Sequence, residues 1–454
     1  MKKLLVIGGG ITGLAAAYLA ARNGRAVTVL EAAPQLGGLL QTFPVGGNDL
    51  EFFYHHFFTH DAELRWLLRE LGIEDRLEFH DATMGVFRDG TIYPFNGPKD
   101  LLGFSPLHLT DKIRFAASSL FLAKAADWRK YEDVSALDWF RRHAGARTTT
   151  ALWQPMLDVK FGPYAGEVPV AWMIGRLRQR MNSRRRGDEK LGYLRGSLKI
   201  LLEALVGALQ KNNVTLRAGA PVEKFIFADG AIQSVQTPEG NFAADEILLT
   251  IPTPHAARLL QTELPEYAAT LSRIKYFGAV CTVLELSQAL GPAYWLNIAD
   301  PGYPFGGVIE HTKMIPATQY NGTHLVYLSR YFAADDRLAT LPEAEIQTLM
   351  VAALKRVYPQ FTDDLVRRVH VFRTHTAAVV CDLGFSRKVP PCRTPVKNLF
   401  LANIAHVYPD ERSCNNSIRV AAEACRVMGM DTAFVPKHAS LSGQIGMDGQ
   451  LPKP

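Results

Sequence analysis

Cysteine is scarce in this chain, which has five among 454 residues: Cys281, Cys381, Cys392, Cys414 and Cys425. No two of them have the C-x-x-C spacing of redox motifs and zinc sites. Small secreted scaffolds that are held by disulfides use far more cysteine. We therefore predict neither a disulfide framework nor a metal site, and the odd number favours reduced thiols in a cytoplasmic protein.

Long hydrophobic runs are also missing. No uninterrupted apolar run reaches about eighteen residues, the length that a transmembrane helix needs. The chain does not start with a charged segment followed by the apolar core and cleavage site of a signal peptide. With 48% apolar and 21% charged residues, 454 residues are enough to bury two cores. We expect a two-domain protein in the cytoplasm, and peripheral contact with the inner face of the membrane stays open.

Excess charge is small, since the formal net charge is +6, but it is unevenly distributed. Six arginines fall between positions 176 and 186 with no acidic residue among them: Arg176, Arg178, Arg180, Arg184, Arg185 and Arg186. Such a cluster suits an anionic lipid headgroup or a phosphorylated substrate, and it is equally typical of a solvated loop. Nucleic acid is not expected as a partner, because interleaved aromatic residues and a second basic stripe are absent.

A glycine loop near the N-terminus is the strongest motif that is present. Residues 4–7 are an apolar run typical of a buried parallel strand, and Gly8, Gly10 and Gly13 follow with G-x-G-x-x-G spacing. In such a loop the first glycine permits the tight turn, the second lets a pyrophosphate approach the backbone, and the third lets the next helix pack on the strand.

The residues after this loop complete a dinucleotide-binding unit. Residues 14–22 predict a helix, and its N-terminal N–H groups would face the phosphates. Residues 27–30 predict the second strand, and Glu31 at its end can accept hydrogen bonds from ribose hydroxyls. The sequence therefore predicts dinucleotide binding at the N-terminus.

A glycine pair after this unit distinguishes the sequence from that of a general dinucleotide-binding site. Gly37 and Gly38 follow Glu31 with the spacing E-x-x-x-x-x-G-G-x-x-x-T, which ends at Thr42. This pattern resembles the flavin amine oxidase superfamily, which includes amine oxidases, protoporphyrinogen oxidase, phytoene desaturase and UDP-galactopyranose mutase. The resemblance implies non-covalently bound FAD, with the glycine pair beside the pyrophosphate and ribitol. Leu39 stands where many members have arginine, so the polar contact that this arginine would provide is missing here.

Two later segments resemble the same superfamily. Val222 falls where the family's backbone contacts the adenine, and Asn403 stands where the family has an acidic residue near the ribitol or phosphate. Asn415, Asn416, Ser417 and Ile418 are expected to begin a helix through Cys425 with Asn or Ser as its cap. By this resemblance, the positive end of that helix would stabilise the reduced flavin.

The resemblance implies an α/β fold with a Rossmann-like FAD-binding domain that is split in sequence. The second domain would be an α+β substrate domain containing a mostly helical insertion. The expected ranges are 1–95, 190–260 and 390–431 for the FAD-binding domain, 96–189 and 261–389 for the substrate domain, and 432–454 for a C-terminal tail.

Two histidines are the candidate catalytic residues. Glu51, His55 and Phe57 match the spacing of a D-x-G-x-H-x-F loop found in galactopyranose mutases and some desaturases, with Phe53 in place of the glycine. By resemblance, this loop runs along the flavin ring, so His55 or His56 would touch the flavin or the substrate. A histidine with a pKa near neutrality can exchange a proton. Alternatively, the surrounding aromatic residues are core and the histidines are only satisfied polar groups.

The substrate residues are predicted from charge and aromatic content. Lys160, Arg176 and Arg178 could hold an anionic end of the substrate, while Tyr193 and Trp295 belong to a group of aromatics that suits a flat apolar body. By resemblance, Cys281 replaces the lysine that monoamine oxidases place near the flavin, which argues against amine oxidation.

One helical segment has two possible environments. Residues 115–123 are apolar and are flanked by Lys112, Arg114 and Lys124. Packing in the core explains such a segment, and so does a helix lying on a membrane surface. Both readings stay open from the sequence.

These observations predict an FAD-dependent oxidoreductase that takes a hydride from a porphyrinogen-, isoprenoid- or polyprenyl-like substrate. One alternative is a reduced-flavin mutase resembling UDP-galactopyranose mutase. The other is a flavoprotein without catalytic activity. The sequence does not determine the oligomeric state.

Overall fold

The computed structural model describes residues 1–185, 188–436 and 447. The strands in chain order are β1 Lys3–Ile7, β2 Ala26–Glu31, β3 Thr42–Val45, β4 Asn48–Glu51, β5 Phe57–Phe58, β6 Leu77–Asp81, β7 Met84–Arg88, β8 Thr91–Pro94, β9 Arg184–Arg185, β10 Asp188–Leu194, β11 Thr215–Ala218, β12 Lys224–Ala228, β13 Ala231–Thr237, β14 Gly240–Ala243, β15 Glu246–Leu249, β16 Tyr276–Leu286, β17 Trp295–Ile298, β18 Gly307–Glu310, β19 His324–Phe332, β20 Val366–Val379 and β21 Leu399–Leu401.

The α-helices alternate with these strands and cluster between β8 and β9. They are α1 Ile11–Arg22, α2 Ala62–Glu70, α3 Pro98–Gly103, α4 Leu109–Lys124, α5 Ala136–His143, α6 Ala146–Thr148, α7 Gln154–Phe161, α8 Val170–Asn182, α9 Leu198–Lys211, α10 Thr253–Leu260, α11 Pro265–Ser272, α12 Glu343–Val357 and α13 Cys414–Val427.

A parallel sheet with the strand order β11-β2-β1-β15-β21 forms the centre of the first half of the fold. Its strands come from the N-terminus, the middle and the C-terminal region of the chain, which confirms the Rossmann-like α/β fold split in sequence. Strands β1, β15 and β21 are short apolar runs that are largely buried, as the inside of a parallel sheet requires, whereas the edge strand β11 is mostly exposed. Helices α1, α9 and α13 share one hydrophobic core with this sheet.

A seven-stranded mixed sheet, ordered β20-β16-β19-β18-β17-β7-β8, forms the second half. Its longest strands are β16, β19 and β20, which lie side by side, and α12 packs on this sheet. The hairpin β7–β8 differs from the expected ranges, which place residues 1–95 with the cofactor domain. It joins the second sheet, because Met84–Arg88 pairs in parallel with Trp295–Ile298.

Helices α3 to α8 form the predicted insertion. Their core is rich in large aromatic side chains, including Trp128, Phe140, Trp153 and Phe161. The segment predicted at 115–123 lies in α4, whose inner side packs into this core. Within the described residues, no helix has the length and apolar character needed to cross a bilayer.

The chain after α13 is described only in part. Val435 is buried in the core around α1, and the Cys392 N–H donates to the Met447 carbonyl at 2.7 Å. The rest of the predicted tail, residues 437–446 and 448–454, lies outside the described residues, as does Arg186 of the arginine run. No disulfide joins any of the five cysteines, all of which are described and buried.

Candidate functional site

Two cavities lie between the halves of the fold. The first has a volume of about 560 Å³ and is formed at the carboxyl ends of β1, β2 and β15, where ligands bind in open α/β sheets. The second has a volume of about 320 Å³ and is lined by α4, α7 and α8 together with strands β7, β17, β18 and β19 of the mixed sheet. We call them the cofactor cavity and the substrate cavity.

The glycine loop lines the cofactor cavity, and its glycines answer different steric needs. Gly8 has φ +114°, which disfavours other residues. A Cβ on Gly13 would lie 1.9 Å from the Gly8 carbonyl oxygen, so this helix start admits only glycine. A Cβ on Gly10 would meet no protein atom within 4 Å. Since Gly10 lines the cavity, that Cβ would occupy the space that a pyrophosphate needs.

Glu31 lines the same cavity, but its carboxylate also has a structural task. Its Oε2 accepts a hydrogen bond from the Gly9 N–H at 2.6 Å, and its Oε1 accepts one from the Ala33 N–H at 2.8 Å. Each carboxylate oxygen can accept a further bond. The side chain is therefore held rigidly and still offers acceptors to ribose hydroxyls.

The glycine pair packs against the glycine loop. The Gly37 N–H donates to the Gly9 carbonyl at 2.8 Å, and a Cβ on Gly38 would lie 3.3 Å from Gly10 Cα. Leu39 and Val222 line the cavity as well. The two glycine segments therefore form one continuous wall of the cofactor cavity.

The start of α13 differs from the prediction. Ser413 is the cap, since its Oγ accepts the Asn416 N–H at 3.1 Å, so the helix starts earlier than the predicted cap among residues 415–417. Ser417 lines the cofactor cavity. Asn416 and Ile418 do not, because the helical period turns them to other faces, where the Asn416 amide donates to the Glu411 carbonyl and Ile418 joins the core.

Asn403 lines the cofactor cavity while holding the backbone around it. Its Oδ1 accepts the Ala405 N–H at 3.0 Å, and its Nδ2 donates to the Ile251 carbonyl at 2.8 Å. Both polar ends of the amide are therefore engaged in local structure. The Asn403 Oδ1 can still accept one further hydrogen bond, for example from a cofactor hydroxyl.

Sequence reasoning missed several residues of this cavity. Thr250 donates from Oγ1 to the carbonyls of Ile7 and Gly8 at 3.1 Å each, which ties β15 to the glycine loop. Arg258 on α10 and Arg412 before α13 bring positive charge to the lining. Thr250 could have been found as the polar residue that directly follows the apolar run 247–249, at the carboxyl end of a parallel strand. The two arginines belong to no motif.

The wall of the substrate cavity is largely apolar. Its aromatic and aliphatic lining includes Phe58, Met84, Val86, Phe95, Phe115, Leu152, Trp153, Met156, Leu157, Trp172, Met173 and Trp295. Trp295 was predicted as a substrate residue, and the structure places it here. Flat rings and flexible methionines suit a large apolar ligand.

Lys160 and Arg176 line the substrate cavity and are bridged by one carboxylate. Arg176 Nη1 donates to both oxygens of Glu411 at 2.7 and 2.6 Å, and Lys160 Nζ donates to the same group. Burial alone would raise the pKa of Glu411, but Arg176 and Lys160 hold it well below its usual range. Burial lowers the pKa of Lys160, and Glu411 opposes that shift. Two cations therefore share one anion.

The remaining charges add to the positive surplus. Arg180 pairs with Glu189 at 2.7 Å, and Arg412 Nη2 donates to the Tyr331 hydroxyl oxygen at 2.5 Å. With Arg330, five basic side chains and two carboxylates line the cavity, and Arg330 has a carboxylate partner outside the lining, Asp336 at 3.1 Å. The five cations therefore exceed their three carboxylate partners by two. Buried charge without a partner is costly, so such a lining favours an anionic ligand.

Two predicted substrate residues point elsewhere. Arg178 turns away from the cavity, since its Nη2 donates to the Ala125 carbonyl at 2.5 Å. Tyr193 is buried, and its hydroxyl donates to the Glu51 carboxylate at 2.9 Å. Glu51 also accepts the Leu198 N–H at 2.7 Å. Neither Arg178 nor Tyr193 lines either cavity, and both side chains make hydrogen bonds within the protein.

Four residues line both cavities: His55, Arg412, Ser413 and Cys414. They mark the junction at which a group bound in one cavity meets a group bound in the other. His55 Nδ1 lies 2.5 Å from the Phe53 carbonyl, which fixes its ring. The loop before β5 and the residues before α13 therefore build the junction together.

Both candidate catalytic histidines are uncharged at neutral pH. Burial, and then the Arg412 guanidinium, lower the pKa of His55 to about 4. Burial, and then Arg180, lower the pKa of His56 to about 3. The expectation of a histidine pKa near neutrality is therefore corrected. His56 Nδ1 is buried and has no hydrogen-bond partner among the described residues, so it can bind a ligand group in the substrate cavity.

Comparison with known proteins agrees with this architecture. The family model of flavin containing amine oxidoreductases matches residues 11–409. The coproporphyrinogen III oxidase of Mycobacterium tuberculosis is 26% identical over 315 residues, which cover 64% of this chain and 67% of that protein.

Two solved structures share the fold. One is titled "Putative protoporphyrinogen oxidase" from Exiguobacterium sp. 255-15, with a TM-score of 0.75, 19% identity and coverage of 94% of this chain and 98% of that one. The other is a reduced UDP-galactopyranose mutase, with a TM-score of 0.73, 15% identity and coverage of 98% and 97%. Because the family model spans most of the chain, the protein belongs to the flavin-containing amine oxidoreductase family and is a flavin-dependent oxidoreductase.

Proposed function

We propose that this protein binds FAD non-covalently in the cofactor cavity and oxidises a largely apolar substrate that carries an anionic group. The substrate would lie in the substrate cavity and lose a hydride from a C–H bond. The observation that carries this proposal is the junction, where His55, Arg412, Ser413 and Cys414 line both cavities.

The cofactor cavity fits a dinucleotide. Gly10 and Gly38 leave room for a pyrophosphate at the start of α1, Glu31 offers acceptors for a ribose, and Val222 lines the cavity at the position predicted for the adenine. Burial raises the pKa of the Cys414 thiol to about 12, so this cavity cysteine is not a reactive thiolate. That supports a non-covalent cofactor.

Release of the cofactor tests this part of the proposal. Acid precipitation should leave all yellow colour in the supernatant, and chromatography should identify it as FAD. Colour that stays with the precipitated protein would contradict non-covalent binding, and FMN in the supernatant would contradict the dinucleotide.

The charges that line the substrate cavity narrow the range of possible substrates. A hydrocarbon such as a carotene has no group that could offset the surplus of cations, whereas a porphyrinogen with carboxylate side chains has an apolar body and several anions. The coproporphyrinogen III oxidase among the relatives is named for such a substrate. We therefore place a porphyrinogen ahead of isoprenoid and polyprenyl compounds.

The chain's own residues would act by binding and orientation. Flavin, when bound, supplies hydride acceptance at N5. Lys160, Arg176 and Arg180 would hold the anionic groups, and the aromatic walls would exclude water and position the reacting C–H bond. Neutral His56 can accept or donate a hydrogen bond to the substrate, depending on its tautomer. No charged base is required of either histidine.

Anaerobic bleaching tests the reaction. The purified holoprotein should lose its flavin absorbance when a carboxylated porphyrinogen is added without oxygen, and polyprenyl lipids and amines should leave the spectrum unchanged. Arg176→Gln should raise KM for the porphyrinogen more than it lowers kcat, since it removes a contact to a remote anionic group. Bleaching by an amine alone would overturn the substrate assignment.

A reduced-flavin nucleotide-sugar mutase is the second candidate, because the basic cavity also suits a diphosphate and the mutase fold matches along most of the chain. A mutase would turn over UDP-galactofuranose only after prior reduction and would consume no electron acceptor.

A further inference from the structure

The exposed face of α4 is unusually apolar for a surface helix. Leu109 is 62% exposed, Ile113 60%, Leu120 47% and Phe121 55%. With the exposed Ala116 and Ala117 between them, these residues recur at helical spacing and form one stripe along the sixteen-residue helix. We call these six residues the α4 stripe.

The opposite face of α4 packs normally against the core of the insertion, so the helix is docked in the fold with its apolar stripe on the outside. Leu122 and Ala123 are buried, and Phe115 stacks on Trp153 with their ring centroids 5.0 Å apart. Ser118 and Ser119 on the inward side donate to the Phe115 carbonyl. The outward face therefore carries more large aliphatic side chains than the inward face, the reverse of an ordinary amphipathic surface helix. A contiguous apolar patch of this kind marks an interaction site.

Positive charges border the α4 stripe on both sides. By helical geometry Lys112 lies along one edge and Arg114 along the other, and Lys124 ends the helix on the exposed side. The one acidic residue of α4, Asp111, is turned inward, where it accepts the His108 N–H at 3.3 Å and faces Arg147. The exposed face therefore combines apolar side chains with cations and has no carboxylate.

A neighbouring residue enlarges the patch. Leu102 of α3 is 62% exposed, and its carbonyl accepts a hydrogen bond from Lys112 Nζ at 2.6 Å, which places it beside the edge of the stripe. The patch therefore spans two consecutive helices on one side of the insertion.

We propose that the α4 stripe docks on a bilayer surface that contains anionic lipids, with α4 lying flat among the headgroups. An apolar face flanked by lysine and arginine is the pattern of helices that bind at a membrane interface. A second copy of this chain fits less well, because its own stripe would bring cations towards cations with no carboxylate to pair them.

The position of α4 gives this docking a consequence. Phe115 on its inward side lines the substrate cavity, so one helix separates the bilayer surface from that cavity. A docked protein would hold the cavity next to the lipid, where apolar compounds accumulate.

Vesicle binding of the full-length holoprotein tests the proposal. It should co-sediment with vesicles made of equal parts phosphatidylcholine and phosphatidylglycerol, bind weakly to phosphatidylcholine alone, and dissociate as salt is raised. The double variant Ile113→Glu/Leu120→Glu should lose at least about tenfold in vesicle affinity, since burying each such side chain drives association. Phe434→Glu, which changes a 37% exposed residue beside Trp66, is the matched control and should bind as the wild type does.

A second variant keeps the test decisive if the double variant folds poorly, as flavin content and Tm would reveal. Lys112→Gln/Arg114→Gln/Lys124→Gln should lose roughly fivefold per charge on anionic vesicles and little on neutral ones. Absence of vesicle binding by the wild type would overturn the proposal, and so would equal binding by all variants. A wild-type dimer that the double variant disperses, without vesicle binding, would assign the stripe to a second copy instead. None of these results depends on turnover, so they stand apart from the proposed reaction.

Discussion

Gly10 and Gly13 lie three positions apart in one loop but are glycine for different reasons. A Cβ on Gly13 would collide with the Gly8 carbonyl oxygen, whereas a Cβ on Gly10 would project into the cofactor cavity. Gly10 also has φ −76°, which alanine adopts without strain. One glycine serves the protein's own packing and the other serves a ligand.

Alanine substitutions should separate these two roles. Gly10→Ala should fold with an unchanged apoprotein Tm and lose at least about tenfold in affinity for FAD, because its methyl group takes space from the pyrophosphate. Gly13→Ala should lower the apoprotein Tm or prevent folding. Fluorescence titration with FAD and thermal unfolding of the apoprotein provide the measurements. Equal FAD affinity of Gly10→Ala and wild type would contradict the predicted place of the pyrophosphate.

Glu51 is a buried carboxyl whose ionisation costs stability. Burial, opposed by hydrogen bonds from the Leu198 N–H and Tyr193, raises the pKa of Glu51 from 4.5 to about 7. The folded protein therefore binds this proton more tightly than the unfolded chain. That contribution to stability is fully present below pH 4.5 and is lost as the pH rises through 7.

The variant Glu51→Gln imitates the protonated acid at every pH. Its Tm relative to wild type should rise between pH 5 and pH 8, by an amount worth up to about 3 kcal/mol of unfolding free energy. Differential scanning fluorimetry across this range would show it, with the exposed Glu223→Gln as the control. A Tm difference that does not change with pH would refute the raised pKa.

At the scale of elements, the start of α13 joins capping to the site. Ser413 caps the helix through the Asn416 N–H and lines both cavities. Asn415 then fastens the helix to α2, since its Oδ1 accepts the Leu64 N–H and its Nδ2 donates to Glu63, each at 2.9 Å. The helix end is therefore held on two sides before any ligand binds.

Removal of this cap should cost stability and cofactor affinity together. Ser413→Ala should lower the unfolding free energy by about 1 kcal/mol and weaken FAD binding, whereas Ser413→Thr should retain most of both because its hydroxyl can still cap. Urea unfolding and FAD titration would measure the two effects. A Ser413→Ala protein as stable as Ser413→Thr would show that the cap is unimportant.

At the scale of the whole molecule, one buried cluster connects the insertion to the segment before α13. Lys160 lies on α7 and Arg176 on α8, and both bind Glu411. Asp133 and Arg387 also pair across long sequence distance, but their side chains are 66% and 59% exposed. The two pairs have similar topology and opposite solvation, which makes them a matched comparison.

Loss of the buried carboxylate should destabilise the molecule far more than loss of the exposed one. Glu411→Gln leaves two buried cations without their anion and should cost about 3–5 kcal/mol. Asp133→Asn should leave the Tm unchanged, because exposed ion pairs contribute little. Chemical unfolding of both variants provides the test. Equal effects would mean that the cluster is not a structural connection between the two halves.

The parts of the site that are local in sequence could be predicted. The glycine loop, Glu31 and the glycine pair depend on backbone sterics that are local in the chain, and Gly8, Gly10, Gly13, Glu31, Gly37 and Gly38 line the cofactor cavity. The positions of the Arg178 and Tyr193 side chains outside both cavities could not be predicted, because side-chain direction depends on what packs around it. Arg412 was missed because the junction it forms with His55 joins two segments that are distant in sequence.

The sequence by itself determined the β-α-β unit and its glycine loop, because an apolar strand, the glycine spacing and the following helix are local in the chain, while the split of the domain and its helical insertion followed from the family resemblance. The tertiary structure decided what distant segments do together. In the folded protein, basic side chains surround a largely apolar cavity, and burial keeps both histidines uncharged. The α4 stripe lies on the surface. These properties depend on burial and charge proximity, which arise only when the two halves of the chain are folded against each other.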